Sequence, residues 1–340
     1  MAKILVTGGL GFIGSHTVVE LQQAGHEAVI VDDLSNTTMD VLERIPTISG
    51  IKPVFEKVDL KDKSAVKQLF DKHPDFDGVI HFAAFKAVGE SVQKPLEYYE
   101  NNFGGLVHLL QEMRDHHLDN IIFSSSCTVY GETNDLPITE DSPVVPALSP
   151  YGNTKQVGEE IIKDAIRAHK FNVISLRYFN PIGAHPSAAI GELPLGVPLN
   201  LVPYVTQTAV GVREQLAVFG DDYETRDGTC VRDYIHVVDV AKAHVIAVQR
   251  LVEKKNEANY EVFNLGTGTG STVLEVIQAF EKVSGESLNY KIVARREGDV
   301  TAAYADTTKA NKVLGWKAEK TLEDAMADAW RWEKKIRKEN

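Results

Sequence analysis

A short apolar segment followed by a glycine-rich turn constrains the fold of this chain more than any other feature of its sequence. Lys3–Thr7 predicts a buried strand, and it runs directly into Gly8–Gly14 and then into a helical pattern that continues to about Ala24. Glycines between a strand and a helix allow a tight turn, close approach of the backbone to a pyrophosphate, and close packing of the helix on the sheet. The positive N-terminal end of the helix would face the phosphates. The pattern predicts a dinucleotide site; the alternative is a glycine-rich turn that only reverses the chain.

An acidic residue stands where the ribose of such a dinucleotide would need a hydrogen-bond acceptor. Ala28–Asp32 predicts the second strand, and Asp32 ends it about 20 residues after the glycine turn. Asp33 follows directly. Because two carboxylates would repel a 2′-phosphate at close range, the sequence favours NAD over NADP.

Apolar runs and helical patterns alternate along the first half of the chain, as a Rossmann-like, doubly wound parallel α/β sheet requires. Further strands are predicted at Val54–Val58, Val79–Phe82, Ile121–Ser125 and Val173–Arg177. Ligands of such sheets bind beyond the carboxyl ends of the strands. After residue 180 the pattern loosens into segments rich in proline and glycine. We therefore predict a dinucleotide-binding domain over 1–180, with a return of 236–265 to its sheet, and a smaller α/β substrate lobe over 181–340.

A phenol and an ammonium group share one face of a predicted helix. Tyr151 and Lys155 are four residues apart, and Ser149 and Pro150 before them suit the N-cap and the first helical position. A free phenol titrates near ~10, so a base that works at neutral pH needs its pKa lowered by about 3 units. A neighbouring cation supplies much of that shift. The alternative for the two residues alone is an ordinary surface pair.

Composition and charge exclude several classes of protein. The 340-residue chain is 25% charged and 43% hydrophobic, which is ordinary for a globular enzyme. Its formal net charge of −12 argues against nucleic acid or an anionic membrane as a partner. Two cysteines, Cys127 and Cys230, indicate reduced thiols, and no cluster of residues has metal-ligand spacing. Without a membrane-spanning apolar run or a signal-peptide pattern, a cytoplasmic location is expected.

Several segments resemble the UDP-galactose 4-epimerase family, within the extended short-chain dehydrogenases/reductases, and the resemblance covers nearly the whole chain. They are Gly8–Gly14, Phe123–Ser126, Ser149–Lys155, Arg177–Pro186, Val231–Val237 and Arg295–Asp299. The first and third mark the superfamily, and the others are more specific for the epimerases. The resemblance implies reversible, NAD-dependent epimerisation of UDP-galactose and UDP-glucose at C4 through a 4-keto sugar, in galactose metabolism.

The resemblance also implies roles for individual residues. Tyr151 would be the base, Lys155 would lower its pKa and hold the nicotinamide ribose, and Ser126 would share the proton path. The implied cofactor contacts are Gly8, Gly11, Phe12, Ile13, Gly14, Asp32, Asp33, Asn36, Asp59, Leu60, Phe82, Ala83, Ala84, Lys86, Asn101, Ser124, Tyr151, Lys155 and Phe179. The implied contacts of the UDP-hexose are Ser126, Tyr151, Asn180, Asn200, Leu201, Phe219, Arg232, Arg296, Asp299 and Ala303. A homodimer is implied as well, with helices near Pro95–His116 and Tyr151–His169 packed across a two-fold axis.

Some of these residues have structural alternatives. Arg232 could pair with Asp233 at the surface, and Phe219 could belong to the core. Ser126 could satisfy only backbone groups. Asn101 and Asn102 could shape a loop, although the resemblance favours Asn101 as a cofactor contact.

Cys127 stands where the family has a small alanine. It is expected to be either a small buried apolar residue or a reactive accessory thiol.

Other functions also stay open at this stage. Sugar-nucleotide dehydratases and decarboxylases share the fold and the tyrosine–lysine pair, but the dehydratases carry Thr-Asp-Glu where this chain has Ser126–Thr128. A redox-sensing regulator that binds dinucleotide without turnover would not need Tyr151, Lys155 and Ser126 together.

A third alternative is epimerisation of other UDP-hexoses. The resemblance places Ala303 beside the C2 substituent of the sugar, where its small side chain would leave space for an N-acetyl group. The N-acetylhexosamine pair is therefore a predicted substrate too, unless Tyr304 fills that space.

Overall fold

A seven-stranded parallel sheet forms the centre of the protein in the computed structural model, which describes residues 1–133, 135–296 and 298–339. Its strands are β1 Lys3–Thr7, β2 Glu27–Asp32, β3 Val54–Lys57, β4 Gly78–His81, β5 Asn120–Ser126, β6 Asn172–Tyr178 and, much later in the chain, β11 Tyr260–Leu265. Across the sheet they run in the order β3-β2-β1-β4-β5-β6-β11. The predicted Rossmann-like α/β class is confirmed, and the six predicted strands are present with ends that differ by one residue at most.

Helices connect these strands, and short strands interrupt the later part of the chain. The helices are α1 Phe12–Gln23, α2 Asp40–Arg44, α3 Pro46–Ser49, α4 Lys63–Lys72, α5 Val88–Gln93, α6 Pro95–Asp115, α7 Pro150–Ala168, α8 Leu201–Ala209, α9 Val237–Val252, α10 Val273–Ser284 and α11 Leu322–Glu339, with a 3₁₀ turn at Cys127–Tyr130 and a π-helical turn at Ala310–Leu314. The short strands are β7 Asn180–Ile182, β8 Leu216–Phe219, β9 Val231–Arg232, β10 Tyr234–His236, β12 Ser271–Thr272, β13 Tyr290–Val293 and β14 Ala302–Ala303. Within the described ranges, none of the helices has both the length and the apolar character needed to cross a membrane.

Helices cover both faces of the sheet. On one face α1 and α9 pack together, with Val18, Leu21 and Val240 in a core that includes Ile80 and Ile122 of the central strands. On the other face α4, α6 and α7 contribute Leu69, Leu109 and Ile162 to a second core. A sheet buried on both faces needs near-continuous apolar strands, which is what the sequence of β1, β2 and β4 provides.

The chain returns to the sheet after an excursion. α9 packs against α1, and β11 pairs in parallel with β6 over Tyr260–Leu265. The segments on either side, residues 181–235 and 266–340, are called the C-terminal lobe below. In the lobe α8, α10 and α11 share a third core that includes Val205, Phe280 and Trp330. The division of the chain into two domains at residue 180 stays a prediction.

Candidate active site

A cleft of about 640 Å³ runs along the carboxyl edge of the sheet and is closed on one side by the C-terminal lobe. All predicted cofactor contacts line it except Phe179, which is buried beside it. They come from the ends of the strands and the loops that follow β1 to β4, from β5, and from helices α1, α6 and α7. The cleft has the position that a doubly wound sheet gives to its nucleotide.

The glycine turn is shaped for a close approach of the backbone. Gly8 has a φ of +67°, and a Cβ there would lie 2.8 Å from the amide nitrogen of Ala83. A Cβ on Gly14 would collide with the carbonyl oxygen of Gly8. α1 begins after Gly11 with neither a side-chain cap nor an acidic residue in its first turn. These features fit a dinucleotide such as NAD, because they leave the start of α1 to an anionic group.

Asp32 stands at the end of β2 in the wall of the cleft. Its carboxylate accepts hydrogen bonds from the amides of Leu10 at 3.2 Å and Leu34 at 3.0 Å. Burial raises the pKa of Asp32, and the two amide hydrogen bonds oppose that rise. Asp33 instead accepts hydrogen bonds from the amide and the hydroxyl of Ser35. Asp32 is thus the carboxylate fixed against the glycine turn.

Two adjacent asparagines in α6 have different positions. Both lie in a helix, and Asn102 shapes the loop after β4 through its hydrogen bonds with Phe85, as one of the two interpretations expected. Asn102 is buried, accepts the amide of Phe85 at 2.8 Å, and donates to the carbonyl of Phe85 and to the hydroxyl of Thr154. Asn101 lines the cleft. Asn102 therefore ties α6 to α7, and Asn101 is the one available to a cofactor.

Tyr151 and Lys155 are held on a capped and buried helix. The hydroxyl of Ser149 accepts the amide of Gly152 at 3.1 Å at the start of α7. Tyr151 is 9% exposed and Lys155 is 5% exposed, so they are not an ordinary surface pair. The ammonium of Lys155 donates to the carbonyl of Ser124 at 2.7 Å and lies 5.9 Å from the centre of the Tyr151 ring.

Burial opposes ionisation of both side chains. It raises the pKa of Tyr151 to about 12, although a hydrogen bond with Ser126 lowers it in part. It lowers the pKa of Lys155 to about 8, although the carboxylate of Glu159 favours the ammonium form. Without a ligand Tyr151 is therefore a neutral phenol, and its ionisation depends on positive charge brought close to it.

The end of β5 faces the same point of the cleft. Ser126 accepts the amide of Thr128 at 3.2 Å, so it serves the backbone as well as lying within reach of Tyr151. The hydroxyl of Ser124 hydrogen-bonds the hydroxyl of Tyr178, which also lines the cleft. Sequence reasoning did not single out Tyr178. The signal was available, because Tyr178 lies within the matching segment and directly precedes Phe179.

A second group of predicted residues comes together outside the lining of this cleft. Arg232 lies 3.4 Å from the carboxylate of Asp299, and Arg296 makes two hydrogen bonds with the same carboxylate, at 2.7 and 3.2 Å. Phe219 is 39% exposed and lies 5.6 Å from the guanidinium of Arg296, so it does not belong to the core. Two guanidinium groups suit the charge of a diphosphate, and the exposed aromatic ring beside them suits a nucleobase.

Arg232 does not pair with Asp233, so that alternative is wrong. The Asp233 carboxylate points the other way and accepts the amides of Thr267 at 2.8 Å, Gly268 at 3.2 Å and Ala305 at 3.1 Å. Asp233 is fully buried and was not predicted as a structural anchor.

The remaining substrate predictions lie at the ends of short elements. Asn180 is half-buried on β7, and Ala303 is half-buried on β14, in register with Arg232 of β9. Asn200 is exposed at the start of α8, directly before Leu201, and its amide donates to Glu192 at 2.5 Å. Of the Arg295–Asp299 segment, Glu297 lies outside the described residues.

Cys127 behaves as a small apolar residue. It is half-buried and packs in a cluster with Val129, Phe179 and Ala303. Burial raises the pKa of its thiol to about 11, so it stays protonated near neutral pH. Among residues 1–133, 135–296 and 298–339 no group of three or more His, Cys, Asp or Glu residues could hold a metal ion.

The far end of the chain supplies a cleft residue that no local pattern indicates. Trp332 of α11 lines the cleft, and its indole donates to the carbonyl of Glu192 at 2.9 Å. The guanidinium of Arg44 lies 5.3 Å from the Trp332 ring. The loop over 193–199, with several exposed leucines and a valine, completes this side of the cleft.

The family emerges from comparison with known proteins. Residues 5–329 match the model of the GDP-mannose 4,6 dehydratase family. UDP-glucose 4-epimerase of Mus musculus is 51% identical to this chain and covers 98% of it and 97% of the mouse protein. UDP-glucose 4-epimerase of Bacillus subtilis is also 51% identical, over 97% of this chain and 96% of that protein. The chain belongs to the UDP-glucose 4-epimerase family. It is an epimerase.

Solved structures agree with the geometry of this epimerase. UDP-glucose-4-epimerase from Stenotrophomonas maltophila, with bound NAD and formylated UDP-arabinopyranose, superposes with a TM-score of 0.96 at 47% identity and covers 100% of both chains. The enzyme from Bifidobacterium longum, in complex with NAD+ and UDP, gives a TM-score of 0.94 at 47% identity over 98% of both chains.

Proposed function

We propose that this epimerase interconverts UDP-galactose and UDP-glucose, in galactose metabolism, by oxidation at C4 to a 4-keto sugar and reduction on the opposite face. The observation that carries the proposal is the buried Tyr151–Lys155 pair, which lines the cleft with the hydroxyl of Ser126 within reach of the phenol. The cofactor is NAD, supported by Asp32 beside the glycine turn and by the NAD-bound structures of the neighbours. When bound, NAD takes up the hydrogen and electron pair from C4 and returns them.

The residues of the chain handle the proton. Tyr151 as phenolate removes the proton of the C4 hydroxyl, and Ser126 hydrogen-bonds the same oxygen. The ammonium of Lys155 supports the phenolate and holds the nicotinamide ribose. Because burial alone keeps Tyr151 protonated, its ionisation in this scheme depends on that nearby positive charge. Ser124 and Tyr178, hydrogen-bonded to each other, wall the same end of the cleft.

The C-terminal lobe holds the nucleotide, and the sugar is left free to turn. Arg232 and Arg296 answer the charge of the diphosphate, and Phe219 offers a face to the uracil ring. Asn180, Asn200, Leu201 and Asp299 complete this proposed grip. The binding energy of the UDP group then keeps the substrate in the site while its sugar turns and presents both faces of C4.

A wider substrate range follows from the wall of the sugar pocket. Ala303 and Cys127 pack in one cluster, and both are small. We infer that an N-acetyl group fits beside Ala303, so UDP-N-acetylglucosamine and UDP-N-acetylgalactosamine are substrates as well.

A homodimer in the cytoplasm completes the proposal. Apolar side chains are exposed along α5 and the start of α6, namely Val88, Val92 and Leu96. In the proposed dimer α6 and α7 pack across a two-fold axis, and this strip would be covered at the N-terminal end of α6.

One experiment tests the reaction and the cofactor together. The purified protein is incubated with UDP-galactose without added NAD, and the products are followed by NMR while the extracted cofactor is identified by mass spectrometry. We expect UDP-glucose as the product and NAD in the extract. A 4-keto-6-deoxy product, or NADP as the main cofactor, would contradict the proposal.

A further inference from the structure

A buried ion pair lies one helical turn beyond Lys155. Arg177 of β6 makes a bidentate contact with Glu159 of α7, with distances of 2.9 Å and 2.6 Å. Both side chains are 4% exposed. The hydroxyl of Ser125 donates to the same carboxylate at 2.6 Å. The guanidinium of Arg177 also stacks on the ring of Tyr130 at 4.8 Å.

This pair joins α7 and β5, which carry the proposed catalytic groups, to β6, which carries Tyr178 of the cleft wall. Glu159 shares α7 with Tyr151 and Lys155, Ser125 lies in β5 between the two serines of the site, and Arg177 directly precedes Tyr178 on β6. Burying two charges is costly, so such a pair is weak evidence of a gain in stability alone. Its position suggests a role in the reaction.

Besides Arg177, the Glu159 carboxylate faces the ammonium of Lys163 at 4.0 Å on α7 and the phenol of Tyr260 on β11. Its negative charge favours the ammonium form of Lys155 one helical turn away. The groups around the ammonium are the Tyr151 phenol on α7, the Ser124 carbonyl and Phe123 ring on β5, and His81 on β4. His81 is buried, its pKa is lowered to about 3, and its ring is therefore neutral. Among the described residues, Glu159 is the carboxylate that favours the ammonium form of Lys155.

We propose that Glu159 is a positioning residue of the epimerase reaction: with Arg177 it fixes α7 against the end of β5, and its charge keeps Lys155 as an ammonium. The inference rests on the proposed function, in which that ammonium supports the Tyr151 phenolate. A purely structural role would leave the charge of Lys155 unaffected.

The pH dependence of kcat/KM separates the two roles. Glu159→Gln removes the negative charge and leaves Arg177 unpaired, so the ammonium of Lys155 becomes less favourable. We expect the alkaline limb of the profile to move to lower pH by about one unit. Glu159→Asp keeps the charge and should return the limb to its wild-type position, even where its shorter side chain lowers the rate.

Two further variants keep the test decisive. Glu159→Gln combined with Arg177→Met removes both charges and avoids an unpaired buried arginine, so the net charge near Lys155 is unchanged and the limb should move less than in the single variant. Glu261→Gln breaks a matched bidentate pair with Arg250, at 2.8 and 2.9 Å, on β11 and α9. This control should leave the pH profile unchanged.

The outcomes are distinct. If the folded Glu159→Gln variant loses activity equally at every pH, with the limb in its wild-type position, or if the double variant moves the limb as far as the single one does, the inference is wrong. A failure of the proposed function is seen elsewhere, in the product of the wild-type protein and in the turnover of Tyr151→Phe.

Discussion

At the scale of single residues, burial decides what the phenol and the ammonium of the site can do. Tyr151 and Lys155 are both buried, so each side chain resists ionisation when the cleft holds no ligand. A buried phenol with a pKa of about 12 is almost fully protonated near neutral pH, so little of the basic phenolate is present. The neighbouring groups, Lys155 and Ser126, therefore have to stabilise the phenolate, because Tyr151 alone would stay protonated.

Replacing the phenol tests its role directly. Tyr151→Phe removes the hydroxyl and keeps the ring, so folding and UDP binding should change little. Turnover should fall by at least the ~100-fold typical of a lost general base. Steady-state rates with UDP-galactose and a thermal melt measure both effects. Turnover within a few fold of wild type would show that Tyr151 is not the base.

Enlarging Ala303 tests the substrate range. Ala303→Tyr places a ring where an N-acetyl group would lie, and overpacking costs about 1 to 3 kcal/mol, or tenfold and more in rate. We expect the variant to lose the N-acetylhexosamine pair and to keep UDP-glucose and UDP-galactose. Rates on all four sugars decide it. No turnover of the N-acetylated pair by the wild-type protein would refute the idea.

At the scale of elements, short strands of the C-terminal lobe bring distant segments together. β9 pairs with β14 in parallel and with β12 in antiparallel orientation, so Arg232 lies beside Ala303. Asp233 follows β9 and fixes the turn over 266–268 by accepting its amides. The position of Arg232 in the proposed UDP-binding group therefore depends on Asp233, whose carboxylate points away from that group.

Weakening that anchor should loosen the lobe. Asp233→Asn replaces one acceptor oxygen with an amide group that faces N–H donors, so buried donors are left unsatisfied. We expect a loss of about 1 to 3 kcal/mol in the free energy of unfolding and weaker UDP binding. Urea denaturation and calorimetry measure these. Asp306→Asn, in a turn where the carboxylate accepts the amide of Thr308, is the control and should change both quantities less. Equal effects at the two sites would contradict the role given to Asp233.

At the scale of the whole molecule, buried histidines couple stability to pH. Burial lowers the pKa of His16 and His81 to about 3, and the pKa of His236 and His244 to about 4. An unfolded chain binds these protons near pH ~6.5, so between that value and about 4 the unfolded state holds more protons than the folded state. Their contribution is present above pH ~6.5 and is lost as the pH falls.

The melting temperature should therefore drop on acidification. His16, His81 and His244 should each lower the free energy of unfolding by about 2 kcal/mol at a pH near 5, and the losses add where the sites are independent. His236 should contribute less, because its ring lies 3.1 Å from the carboxylate of Asp328. Thermal melts between pH 7.5 and about 5 test this, with His244→Gln expected to flatten the curve. A melting temperature that does not change over that range would contradict it.

The exposed apolar strip on α5 and α6 is expected to be covered in solution. Leu96 is 77% exposed in the single chain. Leu96→Asp should convert a homodimer to a monomer, because a buried unpaired charge at an interface is costly. Light scattering after gel filtration measures the mass. Ile51→Asp is the control, because Ile51 is exposed but lies outside α5 and α6. A wild-type monomer would exclude the proposed dimer.

The sequence by itself determined the features that depend on neighbours along the chain. Strand alternation, the glycine turn, the Ser149 cap and the shared face of Tyr151 and Lys155 are set by local backbone geometry and by the periods of helix and strand. These features predicted the class of the fold and the cofactor cleft. The contacts of individual residues with UDP were inferred from a family resemblance, and they stay predictions.

Only the tertiary structure decided which distant side chains meet. Arg177 and Glu159 form their ion pair because β6 packs against α7. Asn102 donates a hydrogen bond to Thr154, and Trp332 of the last helix lines the cleft. Which partner a charged or polar side chain takes depends on burial and on packing between segments far apart in the chain, and no periodicity records that. For the same reason Arg232 pairs with Asp299 and not with its neighbour Asp233, whose carboxylate accepts the amide of Thr267.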